Sequence, residues 1–531
     1  SPTKQYLREE SNVNEVEHKF KISINLSADA LDAKKLVKLL KPSRSESHKD
    51  WINVGLCLHN IDTHLLSEWI EFSRLSTKFV EGECEKNWKS FTQVKGGLSI
   101  GSLRRWARID NPEKYSEFSK ECLWSLILCS QSQTTQDVAN VIYYLYKDQF
   151  VCTSIKHNIW YQFKNHRWHN IDSGVSLQKY FGSVVVDEYV KVINYYNQQS
   201  QGLKETDDKR DKYLSRSKIL TDVTCKLRDY TFKGKILGEC KILFYDESYE
   251  SQFDSNLNLI GFENGVYDLE NGEFRDGRPE DFITLSTETN YLSFEDNDQK
   301  IVSIYSFLNQ IFIPDENDPN KLVDYVLLLL SSFLDGHNPS EKFNIWTGVG
   351  GNGKSKLLEL LEVCFGNYGV KVPVSVFTQK NKASSNQATP EIARLRGKRL
   401  VSAQEPDNSD QFNVGTMKEW TGGDKLACRP LYGDPFDFKP QFKLIYCCNV
   451  LPKLPINDDG TWRRIRLINF GSRFVDHPDP DKKNEFQKDE YLSQKIKGWN
   501  EVFMYILLKY YKIYHEHGLH DIQQVIDNTD E

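Results

Sequence analysis

The sequence predicts an α/β protein whose carboxyl-terminal part is a sheet with helices packed on it, preceded by a small helical domain and a mixed α+β domain. Three observations carry that expectation. From about residue 296 onward, short apolar runs of strand length alternate with helical stretches, the texture of a sheet covered by helices. One such run, Phe343–Thr347, leads directly into a glycine-rich stretch and then a helical pattern through Leu357, Leu358, Leu361 and Phe365. Between residues 31 and 110 the apolar spacing is helical throughout. A chain of 531 residues corresponds to about three or four domains. Its 29 Phe, 26 Tyr and 11 Trp supply apolar surface for several cores, which excludes a mostly disordered chain.

The elements follow in order. Residues 1–30 are polar and without periodicity, and read as a linker. In the helical domain, 31–110, Leu31, Leu36, Leu39 and Leu40 precede Pro42, and Trp51, Leu56, Leu58, Leu65, Trp69 and Phe72 continue at helical spacing. Gly96-Gly97 marks a turn before Leu98–Ala107, a predicted helix with a basic face. The tryptophans here are expected in a core. The mixed domain, 116–295, begins helically through Leu123, Leu126, Val138, Val141, Ile142 and Leu145. It becomes strand-like near Phe150 and Ile159, with a hairpin turn at Lys164-Asn-His-Arg. Ser200 to Asp211 is charged and predicted as an exposed loop, and Asn264-Gly265 as a turn. The last unit, 296–531, closes with one long amphipathic helix over 492–514, ended by Gly518.

Composition narrows the function classes. No apolar run approaches the roughly 18 residues that span a bilayer, and the first 24 residues contain no apolar signal core. Eleven cysteines form no CxxC pair, so zinc ribbons and dithiol redox motifs are not expected, and the thiols read as reduced. The net charge is −7, but residues 341–480 hold 20 Lys and Arg against 15 Asp and Glu, a local excess of +5. A basic stretch inside an acidic chain is compatible with a polyanion at one site.

The stretch Gly348-Val-Gly350-Gly351-Asn352-Gly353-Lys354-Ser355 matches G-x-x-x-x-G-K-[ST]. Glycines allow backbone angles that turn successive N–H groups toward phosphate oxygens, and the helix start adds partial positive charge. Lys354 would reach the β- and γ-phosphates and Ser355 would ligate Mg2+. This is the signature of a nucleoside triphosphate site.

Downstream residues must say what the nucleotide is for. Gly397 to Pro406 reads as a buried strand ending in Glu405, an acid that could help hold Mg2+ or polarise water. Phe442 to Asn449 is a second apolar strand ending in an amide, a candidate γ-phosphate sensor or holder of the lytic water. Between them, Lys418 to Phe436 reads as a helix end followed by a hairpin with Gly433-Asp434 near its tip. After the second strand, Asp458-Asp-Gly-Thr-Trp-Arg463-Arg464-Ile-Arg466 leads into another strand. Two arginines opening a strand are ordinarily surface charge; in this series they look like a charge donor to a neighbouring subunit's phosphates.

The succession GVGGNGKS, RLVSAQEP, KEWTGGDKLACRPLY, LIYCCNVLP and DDGTWRRIRLINF resembles the superfamily 3 helicases, and more closely the poxvirus-type primase–helicases of nucleocytoplasmic large DNA viruses. The match spans about 340–475. Residues 120–290 resemble the domain that precedes the helicase in that family, and 31–110 its helical primase C-terminal module. The resemblance implies an AAA+-like P-loop ATPase domain that assembles into a ring, a hexamer. It would use ATP and Mg2+ to move on single-stranded DNA, typically 3′ to 5′, and to open forks. Expected partners are single-stranded and forked DNA, further copies of the chain, and replication proteins including a primase activity, in the host cytoplasm and with no membrane.

Carried over by position, Lys354 and Ser355 belong to Walker A with Gly348, Gly350, Gly351, Asn352 and Gly353. Glu405 is the Walker B acid and shares the metal with Ser355; Asn449 is the sensor, and Arg463 or Arg464 the trans-acting finger. Lys418 lies in the motif between. Lys425, Arg429 and Lys439 flank or sit on the hairpin expected to face the DNA channel. Two departures stand out. Gln404 precedes Glu405 where many members have paired acids, with Asp407 as a substitute candidate. The family's catalytic primase domain would lie upstream of Ser1, and residues 1–110 hold no polymerase-type carboxylate cluster, so no primer synthesis is expected. Two other classes remain at this point: a P-loop phosphotransferase, disfavoured by the hairpin and arginines, and an ATP-controlled DNA-binding or loading module.

Overall fold

The structure is a computed structural model that describes residues 28–92, 97–313, 321–378, 389–404, 412–431, 434–451 and 458–530. The chain forms two compact units, one of residues up to 162 with 170–250, the other of 163–169 with 251–531. The two do not follow the sequence boundary at 295, because residues 251–295 belong with the carboxyl-terminal unit.

In the first unit, short helices from Ala28 to Cys129 enclose one apolar cluster. Trp51 stacks on Trp69 with ring centroids 4.9 Å apart. Gly55 permits that approach, since a Cβ there would lie 2.4 Å from the Trp69 ring. The predicted basic face on Ile100–Asp110 is reduced: Arg104 is buried and paired with Asp32 at 2.6 Å, because a buried guanidinium needs polar partners to replace water. A second cluster gathers under helices Thr135–Tyr146, Val186–Gln201, Asp208–Lys226 and Tyr230–Leu243. The expected exposed loop over 200–211 narrows to 202–207: Gln201 ends one helix, and the Asp207 carboxylate caps the next by accepting from the Lys209 N–H. The turn between strands Ile159–Lys164 and Arg167–Asp172 falls at Asn165 and His166, both with positive φ, as a tight hairpin requires.

The second unit carries a five-stranded sheet, β1 (Phe343–Thr347), β2 (Gly369–Lys371), β3 (Leu400–Gln404), β4 (Lys443–Cys447) and β5 (Ile465–Asn469). Its order is β5-β1-β4-β3-β2 and every neighbouring pair is parallel. Alternate residues serve two cores, as the period of a strand dictates. Phe343, Ile345, Leu444 and Tyr446 enter one core, while Trp346, Ile445, Cys447 and Ile468 enter the other.

Helices of this unit include α1 (Gln299–Ile311), α2 (Lys321–Ser331), α3 (Lys354–Phe365), α4 (Val414–Thr421), α5 (Asp459–Trp462) and α6 (Asn500–His517). The predicted helix over 492–514 is two helices, Leu492–Lys497 and α6, separated at Gly498 and Trp499; glycine is a weak helix former. Residues 251–295 supply a three-stranded antiparallel sheet and are tied in by Arg399. Its buried guanidinium donates to the carbonyls of Asn256 and Leu257 at 3.1 and 3.2 Å. Strands Leu426–Cys428 and Phe436–Phe438 form the expected hairpin, whose residues 432 and 433 lie outside the described ones. No helix among the described residues is long and apolar enough to cross a membrane.

Candidate nucleotide site

Parallel order places three strand ends side by side. The carboxyl end of β4 lies between those of β1 and β3: Cys447 pairs with Trp346 on one side and Gln404 on the other. In open α/β sheets, ligands bind beyond such carboxyl ends. The glycine-rich loop leaves β1 at this edge. Gly348, Gly351 and Gly353 take φ of +137°, +74° and +90°, angles closed to most side chains. Gly353 is the N-cap of α3, so the helix begins with its unpaired N–H groups at the loop.

Lys354 opens α3 and is buried, with 6% of its surface exposed. Its ammonium donates to Gly348 O at 2.6 Å, Asn352 Oδ1 at 3.2 Å and Asn449 Oδ1 at 3.3 Å. All three acceptors are neutral, and burial lowers the ammonium's pKa from the ordinary lysine value. A buried cation held by neutral oxygens is a costly arrangement unless an anion completes it. Asn352 is the structural pin: its Nδ2 donates to Phe470 O beyond β5 at 3.1 Å, while its Oδ1 takes Lys354. Phe474 N–H donates to Gly351 O at 2.7 Å. Sequence reading placed Asn352 in the loop without this role, which depends on a strand 118 residues away.

Lys354, Asn352 and Asn449 are therefore brought together. Ser355, in the first turn of α3, is exposed, and Gly350 has open space around it. The strand expected to end in Glu405 is β3, which stops at this edge with Gln404; Glu405 and Asp407 lie outside the described residues. Among the described residues no group of three His, Cys, Asp or Glu gathers as a metal site. Mg2+ bound through a P-loop hydroxyl, one carboxylate and phosphate oxygens needs no such group, and Ser355 suits that arrangement.

Arg463 and Arg464 are not brought to the loop. They precede β5 at the opposite, amino edge, where Ile465 pairs with Phe343. A five-residue strand spans about 16 Å, beyond the reach of an arginine side chain, so neither can touch a nucleotide on its own loop. The two differ sharply. Arg464 is 12% exposed and donates to Glu341 Oε2 and Gly460 O at 2.7 and 2.8 Å. Arg463 is 67% exposed and stands 3.6 Å from the same Glu341 oxygen. Glu341 lies outside every motif and had no signal in the sequence.

Lys425, Arg429 and Lys439 are exposed on the hairpin. Leu426 pairs with Phe438, which puts Lys425 and Lys439 together at its base and Arg429 toward its tip. Lys418, at the end of α4, donates to both Asp458 oxygens at 2.9 and 2.6 Å.

Three family models match the chain in succession. Residues 33–107 match the family described as Primase C terminal 2, residues 139–313 the D5 N terminal like family, and 346–464 a family of unknown function. The chain is 38% identical to the "Putative helicase L207/L206" of Acanthamoeba polyphaga mimivirus, over 97% of this chain and 54% of that protein. It is 29% identical to the "Putative helicase 121R" of Invertebrate iridescent virus 3, over 89% and 54%. It is 23% identical to the "Putative primase C962R" of an African swine fever virus isolate, over 89% and 51%. The chain thus spans about half the length of the curated relatives it matches. Among solved structures, the apo C-terminal region of NrS-1 aligns over 52% of this chain and 59% of that one, with 14% identity and a TM-score of 0.34, too slight a likeness to build on. The chain thus carries, in succession, the primase C-terminal and D5 N-terminal-like domains of the primase–helicase family, and its relatives are named putative helicases and primases of nucleocytoplasmic large DNA viruses.

Proposed function

We propose that this chain is the motor part of a viral replicative helicase, an AAA+-like P-loop ATPase that hydrolyses ATP between adjoining copies in a ring, a hexamer, and moves 3′ to 5′ on single-stranded DNA. The observation that carries the reading is the buried Lys354 ammonium, held by three neutral oxygens behind a glycine loop at the sheet's carboxyl edge. A triphosphate is the anion that completes it.

In this reading the loop amides and Lys354 bind the β- and γ-phosphates, and Asn449, beside Lys354, orients water or the γ-phosphate. Ser355 and Glu405 would hold Mg2+, which supplies charge neutralisation on the transferring phosphoryl group. The exposed arginine at the opposite edge serves the next subunit, since it cannot serve its own. Lys425, Arg429 and Lys439 follow the DNA backbone, and a primase activity on the same replication machinery supplies primers, all in the host cytoplasm.

Strand displacement on forked duplexes with either a 3′ or a 5′ tail, run beside mass measurement with and without ATP, tests this. ATP-dependent opening of the 3′-tailed fork by a multimer is expected. A monomer that hydrolyses ATP at full rate and ignores DNA would refute it.

A further inference from the structure

Lys418 and Asp458 have no part in the roles above, yet they sit at the foot of the element that carries the arginines. Asp458 directly precedes α5, a helix of one turn, and Arg463 and Arg464 directly follow it. At the front, Lys418 grips both Asp458 oxygens, and Thr461 Oγ1 donates to the same carboxylate at 2.7 Å. At the back, Arg464 is fixed to Glu341 and to Gly460 O, and Lys342 Nζ donates to the carbonyl of Arg463 at 2.8 Å. Arg464 is held tightly on both sides, whereas the Arg463 guanidinium makes a longer ion pair with Glu341, at 3.6 Å, and is mostly exposed. Glu341 also holds a φ of +52°, a conformation a non-glycine residue keeps where its surroundings demand it.

We infer that Lys418 and Glu341 are positioning residues for Arg463: an ion pair at each end of α5 fixes the turn that offers Arg463, and not Arg464, to a nucleotide held by a second copy of this chain. This rests on the ATPase reading given above and names which guanidinium is donated and what aims it. A pair as exposed as Lys418–Asp458 contributes little to stability, which suits a task of aim rather than of holding the fold. The placement of Lys418 beside Asp458 also separates it from the neighbouring hairpin lysines, whose proposed work is on DNA.

The test is steady-state ATP hydrolysis by the full chain with single-stranded DNA. Arg463→Ala should lower kcat about 10³-fold or more, the scale of a lost arginine finger. Lys418→Met and Glu341→Gln should each lower kcat by roughly 10- to 100-fold, as small misplacements of reacting groups do, with the KM for ATP unchanged. Lys418→Arg, which keeps the ion pair, should restore most of the rate. Adding Lys418→Met to Arg463→Ala should cost nothing further, because both act through one group. Thermal unfolding of Glu341→Gln, which is isosteric, should match the wild-type chain. Wild-type kcat in Lys418→Met and Glu341→Gln beside a crippled Arg463→Ala would overturn the positioning role alone. So would a full additional loss in the double variant. A fully active Arg463→Ala would overturn the donated guanidinium and the reading beneath it.

Discussion

Replacing Gly348 by alanine places a methyl group where the glycine loop is pinned to the sheet. The added Cβ would sit 2.4 Å from Phe470 O and 2.5 Å from Asn352 Nδ2, the two atoms of the bond that holds the loop to the end of β5. The backbone there has φ of +137°, a region essentially closed to side chains, and strain of that kind costs about 1–3 kcal/mol. Losing the Asn352 bond adds about 1 kcal/mol, for a total of about 2–4 kcal/mol. For a unit of this size each kcal/mol lowers Tm by about 2–4 °C. Gly350→Ala is the internal control: a Cβ there meets nothing within 4 Å, so its unfolding should stay within about 0.5 kcal/mol of wild type. Calorimetry and far-UV circular dichroism on both variants measure the difference, and equilibrium binding of a fluorescent nucleotide should fail in Gly348→Ala, since Asn352 also holds Lys354. Unfolding of Gly348→Ala at the wild-type temperature, or equal shifts in both variants, would refute the reasoning.

Other outcomes follow from the same geometry. Arg464→Ala strips Glu341 and Gly460 O of a buried partner and should destabilise by about 1–3 kcal/mol, whereas Arg463→Ala should stay within about 0.5 kcal/mol; denaturant melts compare them. Burial pushes the Lys443 ammonium down to about 7. Between that pH and the usual lysine range the unfolded chain binds a proton that the folded chain does not, so stability rises with pH across this window. Lys443→Met should abolish that rise in urea titrations, and equal slopes would contradict the assignment. Lys425→Ala and Arg429→Ala should each reduce the salt dependence of single-strand binding by about 0.7 in log–log slope; an unchanged slope removes that residue from the DNA path.

How much of this was legible in the sequence depended on how local each feature is. The glycine loop and its helix are decided within a dozen residues, because φ freedom and the N-cap are properties of neighbours in the chain. The parallel strands were legible as apolar runs, but not their order, which is set by crossovers and placed the ends of β1, β4 and β3 together. The shared direction of β1 and β5 separates Lys354 from Arg463, a fact no spacing along the chain expresses. Likewise Lys418 finds Asp458 40 residues away, and Arg464 finds Glu341 123 residues away; either charge alone looks like surface. Arg104 was read as part of a basic face because its carboxylate partner, Asp32, lies 72 residues earlier. The helix break at Gly498 was missed because apolar periodicity runs across it. Glu405, assigned from its motif, lies outside the described residues.

The central claim is that one chain grips the triphosphate and the next completes the site. Mixing Lys354→Ala chains with Arg463→Ala chains tests it most directly, because only a mixed assembly contains interfaces with both groups intact. In a ring of head-to-tail contacts assembled at random from equal amounts, roughly a quarter of interfaces would be complete. ATP hydrolysis by the mixture should rise well above that of either variant alone, toward that fraction of the wild-type rate. Hydrolysis no greater than the sum of the two separate variants would contradict the account.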